Sequence, residues 1–88
     1  MGEQRRWRRV ECWVHRLVHD HVALMSVGGE QRTLGGLAVA VWLVLDHPGD
    51  TAEVHGRILE LWPDQHLGIT EVADTLELLL EHGVIEAT

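Results

Sequence analysis

Eighty-eight residues are enough for one domain with a small core. An apolar share of 45% with four Trp can build that core, while a formal net charge of −7 lacks the uniform basic footprint of a nucleic-acid binder. Cys12 is the only cysteine, which excludes an intramolecular disulfide and fits a reducing compartment.

Charge is divided unevenly along the chain. Residues 1–32 carry six Arg against four carboxylates, a net of +2, and residues 33–88 carry only Arg57 against ten, a net of −9. The arginine-rich start has no signal-type apolar segment, because Val10 to Val14 is short and interrupted. The apolar run Leu37 to Leu45 falls well short of a membrane span. These features predict a cytoplasmic protein with no membrane partner.

In chain order, residues 1–9 read as a basic, loose arm and residues 10–88 as one domain. From Val10 the residues alternate: Val10, Cys12, Val14, Val18, Val22 and Leu24 share one parity, and Glu11, Trp13, His15, His19 and His21 the other. Period two over half-polar residues predicts strands near 10–17 and 21–27 with a turn at His19-Asp20. Gly28-Gly29 signals a hairpin, Gln31 to Leu34 a short third strand, and Gly35-Gly36 its end. Leu37 to Asp46 is a first helix, apolar nearly all round and so expected to be buried on more than one side. His47-Pro48-Gly49 stops it. Asp50 and Glu53 have capping-box spacing, placing the second helix from Thr51, with Val54, Ile58, Leu61 and Trp62 on helical spacing and Pro63 closing it. Thr70 is the expected N-cap of a third helix, and Gly83 suits the left-handed position past its end. Val84-Ile85 packs back as an extended tail. The predicted fold class is α+β and winged-helix-like: a three-stranded antiparallel β-sheet followed by three α-helices.

The third helix carries Glu71, Asp74, Glu77 and Glu81 and no Lys or Arg. It occupies the place of a winged-helix domain's DNA-reading helix. Such a surface repels phosphate, whose neutralisation supplies most non-specific DNA affinity. No nucleic-acid partner is expected.

Four groups of residues carry a resemblance over about residues 10–86. They are Arg32-Thr33-Leu34-Gly35 ending the hairpin; Ala38, Trp42, Leu45 and Asp46; the short turn into a second helix with Thr51 near its start; and Val72, Leu76, Leu79, Gly83 and Ile85. Their joint order resembles the PqqD-like family, the precursor-recognition domains of peptide-modifying pathways. The chain departs from that pattern in its basic, Trp-rich start and in Gly35-Gly36, where many members have Asn or Asp. The resemblance implies a non-catalytic peptide chaperone. It would bind the leader of a ribosomally synthesised precursor peptide and present it to a peptide-modifying enzyme in natural product biosynthesis. The leader would add as a strand to Gln31, Arg32, Thr33 and Leu34 and lie beside the third helix, where Glu71, Thr75, Leu78 and His82 face it.

Other features are weighed beside that reading. Leu78 lies about 120° from the mean of Val72, Leu76 and Leu79, and Leu80 about 80° to the other side. Leu80 therefore belongs to a broad buried stripe, and Leu78 is the peptide-facing candidate. Arg32 is either a solvated strand residue or an ion-pair partner for a leader carboxylate. Arg5 to Arg9 form a solvated tail, an arm on an acidic partner enzyme, or an RNA-type surface. The seven His include no metal-binding spacing, so neither metal nor cofactor is expected. No nucleophile motif or phosphate loop supports catalysis. Two rivals stand beside the peptide reading: a winged-helix DNA-binding regulator, and a structural subunit docking a partner through its apolar first helix. Homodimerisation is compatible with the peptide reading and with both rivals.

Overall fold

The computed structural model describes residues 5–88. Its elements in chain order are β1 (Arg6–Arg9), β2 (Trp13–Val18), β3 (His21–Ser26), β4 (Gln31–Gly35), α1 (Leu37–Val44), β5 (Gly49–Asp50), α2 (Thr51–Leu61), α3 (Ile69–Glu81) and β6 (Ile85–Ala87). The fold is α+β. It has two three-stranded antiparallel sheets rather than the single sheet expected, in the orders β2-β3-β4 and β5-β1-β6.

The second sheet corrects the reading of the N-terminus. Residues 1–4 of the expected arm lie outside the described residues, but Arg6–Arg9 pair with β5 on one side and β6 on the other. Strand alternation sends Trp7 inward, where it is 2% exposed, while Arg6 and Arg8 face out. The Trp7 indole Nε1 donates to Thr51 Oγ1 at 3.1 Å, which joins the strand to the start of α2.

The arginines of this segment find their partners within the chain. Arg5 pairs with Glu77, Arg6 with Glu53 at 3.0 Å, and Arg8 with Glu86 at 3.3 Å. All are at least partly solvated, so each pair contributes at most about 1 kcal/mol. Together they lay the basic start of the chain against its acidic remainder.

Arg9 has a different task. It stacks 4.7 Å over the Trp42 ring and donates to the Trp42 carbonyl through Nε at 3.0 Å and through Nη2 at 2.6 Å, and to the Leu43 carbonyl at 3.3 Å. Burial lowers its pKa from the ordinary arginine value, opposed by the nearby Asp46 charge. Arg57 completes the pattern from α2, donating to Val44 O at 2.9 Å, His47 O at 2.7 Å and Pro48 O at 2.9 Å. The last turn of α1 contains no basic residue. Two arginines from elsewhere therefore satisfy carbonyls that a helix C-terminus leaves open. Gly49 lets Arg57 come this close, since a Cβ there would lie 3.0 Å from the guanidinium.

The β2–β3 hairpin turns through His19-Asp20, with His19 at φ 54. Val18 pairs His21 and Trp13 pairs Ser26, so opposed residues always differ in parity. That inverts the facing across the turn. In β3 the even residues Val22 and Leu24 are buried as expected, but in β2 the even residue Val14 is 70% exposed. A single parity running through both strands was the error. Between β3 and β4 the pairs Val22–Leu34 and Leu24–Arg32 keep parity, and Leu34 is buried.

The helices follow the sequence reading with corrections at the ends. Asp50 and Glu53 form the expected reciprocal capping box. The first helix ends at Val44, not Asp46. Its apolar first turn, Leu37 to Ala40, is only half-buried, and full burial begins at Val41 and Trp42. The N-cap of α3 is Gly68, not Thr70: extended at φ −83 and ψ 152, Gly68 turns its carbonyl to accept from Val72 N, so Ile69 and Thr70 enter the first turn. Gly83 has φ 73, ending α3 in the left-handed conformation. Val84 and Ile85 then return into the core.

Candidate functional site

The strand β4 is the outer strand of its sheet. A four-residue loop, Val27 to Glu30, with Gly29 at φ 88, delivers it, and Gly36, at φ 59, turns it into α1. Ser26 N donates to Glu30 O at 2.9 Å, and the buried Ser26 hydroxyl accepts from Glu30 N at 3.0 Å. The Ser26 bond sets the phase of the ladder. In an antiparallel pair hydrogen-bonded and non-bonded residues alternate, so Arg32 and Leu34 bond to β3. Gln31, Thr33 and Gly35 point their backbone groups away from it, toward the open edge.

Beside that edge a cavity of about 170 Å³ lies between β4, α1 and the C-terminal half of α3. Arg32, Thr33, Leu34 and Gly35 wall it from the strand, Ala38 from α1, and Leu78, Leu79 and His82 from α3. Leu78 is 49% exposed, whereas Leu76 and Leu79 are fully buried and Leu80 is half-buried against the core. Leu78 thus stands apart from its neighbours on the helix.

Of the eight residues read from the sequence, Arg32, Thr33, Leu34, Leu78 and His82 meet around this cavity. Gln31 lines a different depression on the outer face of the sheet, with Val14 and Met25. Glu71 lines a larger cavity nearer the start of α3. Thr75 lies between these two positions along α3, and its hydroxyl donates to Glu71 O at 2.9 Å rather than standing free.

Arg32 is engaged locally. It lies 5.5 Å from the Trp13 ring centroid, and it donates to Gln31 O at 2.9 Å and to Glu30 Oε2 at 3.3 Å. The Trp13 indole in turn donates to Gly83 O at 3.1 Å, tying the hairpin to the end of α3. This chain of contacts holds β4 and α3 at a fixed spacing.

Among the described residues, no three His, Cys, Asp or Glu side chains converge as a metal site would require. Nor is any described helix long and apolar enough to cross a membrane. Comparison with family models, with curated proteins and with solved structures finds no match to the chain.

Proposed function

We propose that this protein is a non-catalytic peptide-recognition domain of the cytoplasm. It binds the leader of a ribosomally made precursor peptide as an added strand on β4 and presents it to a modifying enzyme. The observation that carries the reading is the open β4 edge. Thr33 directs its unpaired N–H and C=O toward a groove whose far wall holds the exposed Leu78. An unpaired edge is an aggregation liability unless it is covered or used. Main-chain bonds to such an edge supply affinity, and the pockets beside it select side chains. The acidic α3, with no Lys or Arg, disfavours the rival in which this helix reads DNA.

The test begins with selection of binders from a displayed library of short peptides, together with any short peptide encoded beside the gene. Calorimetric titration then compares variants. Thr33→Pro removes an outward-facing donor and abolishes binding. Leu78→Asp puts a carboxylate in the apolar wall and weakens binding by roughly tenfold or more. Glu81→Ala, an exposed residue outside the groove, changes little. Circular dichroism must show native helix content in each. Folded Thr33→Pro and Leu78→Asp proteins that both keep wild-type affinity would place peptide binding elsewhere.

A further inference from the structure

A second cavity is larger than the one beside β4. It measures about 470 Å³ and lies at the other end of the same α3 surface. That volume falls within the range of pockets that enclose small ligands or whole side chains. Leu37, Val39 and Ala40 from the half-buried first turn of α1 line it, with Ile58 from α2 and Leu67 from the loop before α3. Trp62, 39% exposed at the end of α2, adds an aromatic surface. The polar lining is Asp20, Gln65, His66 and Glu71, with no Lys or Arg.

Two observations say what fits there. The first is continuity. At 100° per residue, Glu71, Thr75, Leu78 and His82 fall on one stripe of α3. Glu71 borders the large cavity, while Leu78 and His82 border the β4 groove. The first turn of α1 joins them, with Ala38 on the groove and Leu37, Val39 and Ala40 on the cavity. A chain paired with β4 and running past Gly35 would reach this cavity next. The second is charge. Asp20, Glu71, the Trp62 ring and the His66 imidazole line the opening with no Lys or Arg, and residues 33–88, which supply Glu71, hold ten carboxylates against Arg57 alone. Such a surface attracts cations, and the Trp62 face adds cation–π attraction.

We infer that this cavity is a second anchoring subsite for the bound peptide, taking an aliphatic side chain that neighbours a Lys or Arg. The aliphatic group lies on Leu37, Val39 and Ile58, and the cation faces Glu71, Asp20 and Trp62. The inference rests on the peptide reading of β4 for the class of ligand. Its test does not, because a capped dipeptide is too short to pair along the strand.

The probes are N-acetyl-Leu-Arg-amide, N-acetyl-Leu-Gln-amide and N-acetyl-Leu-Glu-amide, each titrated into the ¹⁵N-labelled protein and followed by amide shifts. The Arg probe is expected to shift Leu37, Ala40, the Trp62 indole and Glu71, and to leave Thr33 and Leu78 in place. It should bind about threefold tighter than the Gln probe, the effect of one solvated ion pair, and the Glu probe should bind weakest. Glu71→Gln removes the preference for Arg over Gln while keeping the shifts at Leu37. Trp62→Ala weakens all three probes. Equal affinity for the Arg and Glu probes, or shifts confined to the β4 groove, would overturn the inference. So would no binding of any probe while long peptides still bind through Thr33. Loss of the Thr33 dependence with dipeptide binding intact would instead remove the β4 reading and leave the cavity as a separate site.

Discussion

Trp7 offers the sharpest test of how this small domain is held together. The sequence places it in a loose basic arm, and the structure places it in the core at 2% exposure, in a strand paired on both sides. The two placements differ by several kcal/mol on truncation. Trp7→Ala in a solvated arm would change stability by less than about 0.5 kcal/mol. In the core it deletes a large ring, leaves a cavity and removes the bond to Thr51 Oγ1, at a cost of about 3–5 kcal/mol. A domain of this length holds about 4–13 kcal/mol in total. The substitution thus removes a large fraction of that stability and lowers the melting temperature by at least about 12 °C. Urea unfolding followed by far-ultraviolet circular dichroism measures the change without relying on the deleted fluorophore. Thr51→Val serves as a control, because it removes the hydrogen bond and keeps the ring, and costs about 1 kcal/mol. A Trp7→Ala protein within about 0.5 kcal/mol of wild type would refute the assignment of β1 to the core.

Two further outcomes are expected. The half-buried His55 donates from Nε2 to Leu67 O at 2.7 Å, linking α2 to the loop before α3. His55→Ala should cost about 1–2 kcal/mol in urea unfolding and also weaken dipeptide binding, since Leu67 lines the larger cavity; unchanged stability would show that the bond holds nothing. Gel-shift titration with random duplex DNA at physiological salt should give no complex, because α3 carries four carboxylates and no base; a sub-micromolar complex would restore the DNA-binding rival.

The parts of the fold that were legible in the sequence are those fixed by local chemistry. The capping box of Asp50 and Glu53, the Gly83 helix end and the His19-Asp20 turn each need only neighbouring residues. The second sheet was not legible because its pairing is non-local. Trp7 faces Gly49 and Ala87, and strands of two to four residues show too few alternations to register as a period. Arg6 to Arg9 read as solvated because charge is the local signal. Their partners Glu53, Glu86 and the Trp42 carbonyl lie more than thirty residues away. The division of the chain into a +2 start and a −9 remainder did hold a clue. Opposite charges in one small domain can be satisfied within it, and Arg5, Arg6 and Arg8 are laid against Glu77, Glu53 and Glu86.

The candidate site divides in the same way. Helical periodicity set Leu78 off the core face, and it is 49% exposed, because exposure there depends on the angle between one stripe and the core face of a single helix. The same stripe was too long to be one site. Glu71 and His82 lie eleven residues apart on α3, about 16 Å along the axis at 1.5 Å per residue, and the structure gives each a different cavity. What separates the two cavities is the first turn of α1. An apolar run reads as buried on all sides, yet Leu37 to Ala40 remain half-open. Burial on every side requires neighbours on every side. This helix has β4 and α3 near one flank and the end of α2 near the other, with gaps between them that no side chain among the described residues fills. An unfilled apolar turn flanked by an open strand edge and an acidic rim is costly to leave in water. That cost is the physical reason to look for a peptide that covers both cavities at once, rather than for a ligand of either alone.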